Sequence, residues 1–247
     1  MKTAAILSVF LFSISRASSQ APNPGLIISH LTGDFYVYTT FGLYKGNPVP
    51  SNSMYLVTSE GVVLFDTPWD STQFKPLLDS IQIRHNKKVI MCISTHFHDD
   101  RTAGLEYYRS MGIRTYTSKR TDELSKVRKA KRAEFLIYKD SIFRVGQYRF
   151  QTYYGGQGHS PDNMVIWFEK EKILYGGCLV KSTEAEDLGN LSDADVEKWA
   201  VTIKNIQQKF KNPEYIIPGH LAWTSTESLT HTLDLIQQYK EKNPSAK

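Results

Sequence analysis

The sequence predicts an α/β protein in which two sheets pack face to face with helices outside. Strand-like segments dominate the first part of each half of the chain, and helical spacing follows them. No internal repeat or low-complexity linker separates the halves, so residues 20–247 read as one domain. With 247 residues, 40% of them hydrophobic and 22% charged, such a domain can bury its core without disulfide staples.

Residues 1–19 read as a secretory signal. Lys2 supplies the positive end, Ala4 to Ile14 a short apolar stretch, and Ala17-Ser18-Ser19 a small-residue cleavage site. That stretch is shorter than the roughly 20 residues a membrane span needs. No later segment is apolar enough to cross, so no stable membrane association is expected. From residue 34 the pattern is strand-rich, with strands over 35–40, 53–57 and 61–65. Residues 41–48 between the first two read as a mobile hairpin. Helical spacing covers Thr72 to Ile81, and the strand Val89-Ile90-Met91-Cys92-Ile93 follows. A helix over 102–111, a short strand at 114–117 and a charged helix from Thr121 to Arg132 come next. Two hairpins turn at Val145-Gly146 and at residues 169–172. Ser192 and Asp195 form a capping-box-like start for a helix to Phe210. Tyr215-Ile216-Ile217 is a short buried strand, and Thr224 and Glu227 start a last helix to Tyr239.

Without residues 1–19, which hold Lys2 and Arg16, 28 basic residues face 25 acidic ones, a formal charge of +3. That is too mild a balance for a nucleic-acid partner. The densest basic stretch, Lys119 to Arg132, is interleaved with Asp122 and Glu123 and reads as a solvated helix face. Two cysteines in an exported chain raise a Cys92–Cys178 disulfide. One packed thiol and one metal-binding thiol is the competing reading.

The chemistry concentrates in Thr95-His96-Phe97-His98-Asp99-Asp100. In an extended run alternate side chains point the same way. His96, His98 and Asp100 can then converge while Phe97 turns inward. Two imidazoles and a carboxylate suit one zinc ion or a pair. His159, Cys178 and His220 fall at strand ends or tight turns, each beside a glycine. Of the seven histidines, His30, His85 and His231 lack such contexts and read as surface or packing residues. Three histidines can hold one zinc with a fourth position open. Asp, Cys and His can hold a second zinc. An open zinc site points to catalysis, because zinc lowers the pKa of bound water to about 7.

Five motifs occur in one order: His96-Phe97-His98-Asp99-Asp100-Arg101, His159-Ser160-Pro161-Asp162-Asn163, Gly177-Cys178-Leu179-Val180-Lys181-Ser182, Leu188-Gly189-Asn190 and Pro218-Gly219-His220. Together they resemble the first subclass of the class B metallo-β-lactamases, over residues 30 to 240. The resemblance implies a four-layer αβ/βα sandwich of two mixed sheets, with metals at one edge. It implies two zinc ions per chain, one on His96, His98 and His159, the other on Asp100, Cys178 and His220. Hydroxide between the ions would attack a β-lactam carbonyl, and the second ion would receive the departing nitrogen. Asp100 and Asn190 are the implied catalytic residues, with Asn190 beside the attacked carbonyl. Lys181 would hold the substrate carboxylate. Asp66 would sit behind the metals and orient a ligand or Arg101. Phe41, Leu43 and Tyr44 of the 41–48 hairpin would cover the drug.

Other hydrolases of the wider superfamily often carry a further histidine where this chain has Arg101, and a bridging aspartate near Cys178. Both differences favour the lactamase over a glyoxalase-type thioesterase. A non-catalytic periplasmic zinc-binding protein is the rival of another class; Lys181 and Asn190 argue against it. The expected protein is a periplasmic monomer acting on small-molecule β-lactams, including carbapenems, and conferring antibiotic resistance.

Overall fold

All four residues of β4 (Val62–Phe65) are buried, yet they face two different cores. Val62 and Leu64 join one apolar cluster, Val63 and Phe65 another. A strand buried on both faces needs a layer on each side. The computed structural model describes residues 25–244, and β4 lies near its centre. The expected signal segment, residues 1–19, lies outside the described residues.

The first sheet has seven strands in chain order: β1 (Ile27–Thr32), β2 (Phe35–Tyr44), β3 (Asn47–Val57), β4, β5 (Val89–Ile93), β6 (Arg114–Ser118) and β7 (Phe135–Ile137). Pairing is antiparallel up to β4 and parallel from there to β7. The second sheet runs in the order β12 (Tyr215–Pro218), β11 (Ile173–Gly177), β10 (Val165–Phe168), β9 (Tyr148–Tyr153) and β8 (Ile142–Val145). Only β11 and β12 are parallel there, so both sheets are mixed.

Three apolar clusters separate four layers. The middle one joins Met54, Phe65 and Ile93 of the first sheet to Phe150, Ile166 and Tyr175 of the second. Outside the first sheet, α1 (Phe74–His85) and α3 (Leu105–Ser110) contribute Leu77, Ile81, Leu105 and Tyr108. Outside the second, α5 (Val196–Lys209) and α6 (Ser228–Lys242) contribute Trp199, Ile203, Leu229 and Ile236. The αβ/βα sandwich is therefore the architecture of the chain.

Several boundaries differ from expectation. Strand β1 precedes the first expected strand; its partial burial leaves no clean alternation to read. The 102–111 helix divides into α2 (Asp99–Thr102) and α3. Gly104 sits at the break, its N–H donating to Thr67 Oγ1 at 3.0 Å. The charged helix α4 (Lys119–Arg128) stops early because Lys129 turns left-handed at φ 55°. Asp195 alone caps α5, accepting from the Lys198 N–H at 3.0 Å, and Ser192 takes no part in the cap. The 41–48 segment pairs regularly to Tyr44 and Asn47. Its two-residue turn, Lys45-Gly46, has positive φ at both positions, as a tight hairpin requires.

Candidate metal centre

The six predicted donors come from four connections at one edge of the sandwich. β5 ends at Ile93, and the chain bends through residues 95–98 rather than continuing as a strand. His98 is extended, and α2 begins at Asp99, so Asp100 stands on the first helical turn. His96 and His98 therefore face one point and Asp100 another. Phe97 turns inward as expected, 5% exposed. His159 comes from the connection between β9 and β10. Cys178 follows β11 directly, and His220 follows β12 by two residues. Because β11 and β12 are parallel, Cys178 and His220 emerge side by side.

His96 Nε2 lies 3.0 Å from His98 Nδ1, which lies 3.1 Å from His159 Nε2. Zinc–nitrogen bonds of about 2.0–2.1 Å in a tetrahedron set such nitrogens about 3.3 Å apart. The three rings cross at 80–89°, so their nitrogens meet without stacking. Cys178 Sγ lies 3.2 Å from Asp100 Oδ2 and 3.2 Å from His220 Nε2; His220 Nε2 is 3.4 Å from Asp100 Oδ2. Thiolate, carboxylate and imidazole at these spacings also fit zinc. The two sets adjoin, since donor atoms of His96, Asp100 and Cys178 fall within 4.8 Å of one another.

Burial holds His96 and His159 well below the usual histidine range, so both imidazoles stay neutral with lone pairs free. Burial pushes Asp100 up, but Arg101 and His220 outweigh it and keep the carboxyl well below its ordinary range. Burial pushes the Cys178 thiol up, against the pull of Arg101. A metal ion at Cys178 must therefore displace its proton.

Two donors are aimed by outer partners. His220 Nδ1 donates to the Pro50 carbonyl at 2.6 Å, which turns its Nε2 lone pair to the centre. His98 Nε2 lies 3.1 Å from Asp193 Oδ2, and the Arg128 guanidinium, at the end of α4, bonds the other oxygen of Asp193. Sequence reasoning missed Asp193 and Arg128. The signal for Asp193 was an acid three residues past Asn190, which read as part of a helix start.

Behind the centre, Arg101 is fully buried. Its Nη2 reaches Cys178 Sγ at 3.0 Å, Asp100 Oδ2 at 3.0 Å and the Gly219 carbonyl at 2.9 Å. Its Nη1 reaches the Asn52 carbonyl at 2.6 Å and Asp66 Oδ2 at 3.5 Å. Asp66 accepts from the Thr95 N–H at 2.6 Å, Thr95 Oγ1 at 2.9 Å and Tyr175 OH at 2.5 Å. It thus anchors both Arg101 and the start of the histidine run. Tyr175 had no expected role. Cys92 and Cys178 are both free and buried, so the disulfide does not form.

The centre opens into a cavity of about 600 Å³. Lys181 and Asn190 both line it. Lys181 is only 9% exposed, and burial pulls its pKa down. Asn190 Oδ1 accepts from the Ser192 N–H at 3.1 Å, which leaves its amide N–H₂ uncommitted among the described residues. Of the three hairpin residues expected to cover a ligand, Tyr44 lines the cavity and Phe41 and Leu43 do not. Val49 and Trp69 complete that apolar wall. Trp69 packs so closely on Gly42 that a Cβ there would lie 2.2 Å from its ring.

No family model matches the chain. A protein of Elizabethkingia meningoseptica described as metallo-beta-lactamase type 2 is 42% identical over 246 residues, covering 100% of this chain and 98% of its own. The crystal structure of metallo-beta-lactamase IND-7 superposes with a TM-score of 0.84 at 40% identity, covering 87% of this chain and 99% of its own. A metallo-beta-lactamase from Pontibacter korlensis gives a TM-score of 0.83 at 33% identity, over 86% and 99%. The chain belongs to the metallo-β-lactamase family, in the first subclass of class B.

Proposed function

We propose that the chain is a periplasmic enzyme that uses two zinc ions to open the ring amide of β-lactam antibiotics, carbapenems among them, and so confers resistance. The observation that carries this reading is that donors of both sets, His98 and His159 of one and Asp100 and His220 of the other, line one cavity whose wall holds Lys181. In this reading His96, His98 and His159 hold one ion, and Asp100, Cys178 and His220 the other. Bound zinc supplies Lewis acidity and a nucleophile drawn from water near neutral pH.

The chain's own residues do the rest. Lys181 binds the carboxylate that β-lactams carry, through a charge-assisted hydrogen bond in a partly desolvated setting. The uncommitted Asn190 amide donates to the carbonyl oxygen as negative charge builds there. Tyr44, Val49 and Trp69 press on the apolar side of the drug and hold its amide against the centre. Asp193 and Pro50 keep His98 and His220 aimed. Removal of residues 1–19 leaves a mature domain from about residue 20 to residue 247, acting as a monomer. Among the described residues no helix is long and apolar enough to cross a membrane.

A carbapenem hydrolysis assay tests the proposal. Zinc-loaded protein should consume the drug, a chelator should stop turnover, and added zinc should restore it. Chelator-insensitive turnover, or none with zinc restored, would contradict it. Cleavage of a glutathione thioester without carbapenem turnover would assign the site to a thioesterase.

A further inference from the structure

The wall of the cavity beside Lys181 is acidic. Glu184, Glu186 and Asp187 all line it, and among the described residues Lys181 is the one lysine or arginine that does. None of the three carboxylates hydrogen-bonds to Lys181, although the charge of Asp187 acts on its ammonium. The Lys181 ammonium, nine-tenths buried, has no hydrogen-bond acceptor among the described residues and lies 5.3 Å from the centre of the Trp199 ring. The cavity therefore sets one lysine without a hydrogen-bond acceptor beside three carboxylates that outnumber it.

The acidic segment is held in place. Glu184 Oε2 accepts from the Ala222 N–H at 3.2 Å, which ties it to the connection that carries His220. His231 Nε2 donates to the Ala185 carbonyl at 2.8 Å. Asp187 Oδ1 accepts from the Gly189 N–H at 2.7 Å. Glu186 makes no hydrogen bond or ion pair among the described residues and stands exposed on the rim.

We infer that this acidic wall selects β-lactams that carry a positive charge on the ring substituent next to the carboxylate. The inference rests on the β-lactamase reading above. In carbapenems and cephalosporins the carbon bearing the carboxylate is double-bonded to the carbon bearing the variable substituent. A carboxylate seated on Lys181 therefore keeps that substituent in the part of the cavity whose wall includes the residues that follow Lys181 in the chain. A quaternary ammonium or pyridinium group there meets Glu184, Glu186 and Asp187. A neutral group leaves the three carboxylates to oppose the substrate's own anion. Penicillins carry no charge at the corresponding position and gain nothing from the wall.

Two cephalosporins with the same acyl side chain, one with a pyridinium and one with a neutral acetoxy substituent, provide the test. Zinc-loaded wild type should favour the cation by about tenfold in kcat/KM at low salt, chiefly through KM, and salt should erode the preference. Leaving-group chemistry also separates the two drugs, so the deciding quantity is how their ratio changes between proteins. Glu186→Gln should lower it, Glu186→Lys should reverse its salt dependence, and the combined Glu184→Gln, Glu186→Gln, Asp187→Asn variant should abolish the charge-linked part. Glu186 has no partner to lose, so its single variants keep the test open if the triple variant folds poorly. A ratio unmoved by salt and by both Glu186 variants would overturn the inference while leaving the β-lactamase reading standing. Hydrolysis of neither drug by the zinc-loaded protein would overturn both.

Discussion

The Arg101 guanidinium donates to Cys178 Sγ at 3.0 Å from a position with no solvent exposure. The same group is 3.0 Å from Asp100 and 3.5 Å from Asp66, so one buried cation faces two carboxylates and a thiol. Arg101→Ala should leave the two carboxylates without a counter-charge and the thiol without a partner donor, at a cost of roughly 3–5 kcal/mol of stability. Arg101→Lys should recover only part of it, because one ammonium cannot reproduce a fork that spans Asn52, Cys178 and Gly219. Chemical denaturation of the metal-free proteins measures both; a loss below about 1 kcal/mol for the alanine variant would contradict the role.

Asp66 makes stability depend on pH. Burial pushes its carboxyl from 3.8 up to about 6, with Arg101, Tyr175 and Thr95 opposing the shift. The folded state thus binds this proton more tightly than the unfolded state. Stability from this group is greatest at the acid end and is lost as pH rises from about 4 through about 6. The loss should be roughly 3 kcal/mol at about 1.4 kcal/mol per unit. Subtracting the curve of Asp66→Asn from that of wild type isolates the term. A flat difference across that window would refute it.

Much of the site was legible in the sequence because its donors sit at element ends within short motifs. His159, Cys178 and His220 each adjoin a glycine, and the parallel pairing of β11 with β12 brings two of them together. Asp193 was not legible. Its contact with Arg128 spans 65 residues and depends on where α4 stops, which the left-handed Lys129 decides. Trp69 was missed for a similar reason, since its place in the wall depends on Gly42 in a distant hairpin. The fold class followed from the order of strand-like and helical segments in each half of the chain, and the four layers from the family resemblance. The break at Gly104 did not, because it comes from a bond to Thr67 that no local pattern encodes.

The Asp193 contact predicts a metal effect distinct from folding. Asp193→Asn should loosen His98 and weaken zinc at the three-histidine site by about 10- to 100-fold. Arg128→Ala should act in the same direction and more weakly, since Arg128 reaches His98 only through Asp193. Competition with a chromophoric chelator reads both, with thermal melts of the metal-free proteins as the control for folding. Unchanged zinc affinity in Asp193→Asn would contradict the orienting role.

Lys181→Ala should raise KM for carboxylate-bearing β-lactams by about tenfold or more, with a smaller effect on kcat. Steady-state kinetics on one carbapenem suffices. An effect confined to kcat would show that Lys181 does not bind the ground-state carboxylate.

The division of the six donors into two unlike sets is tested most directly by counting zinc per chain. Native mass spectrometry at low-micromolar zinc should find two ions on wild type and one on Cys178→Ser, which keeps the His96, His98 and His159 set intact. Two ions still bound by Cys178→Ser, or one ion on wild type that the substitution removes, would contradict that division.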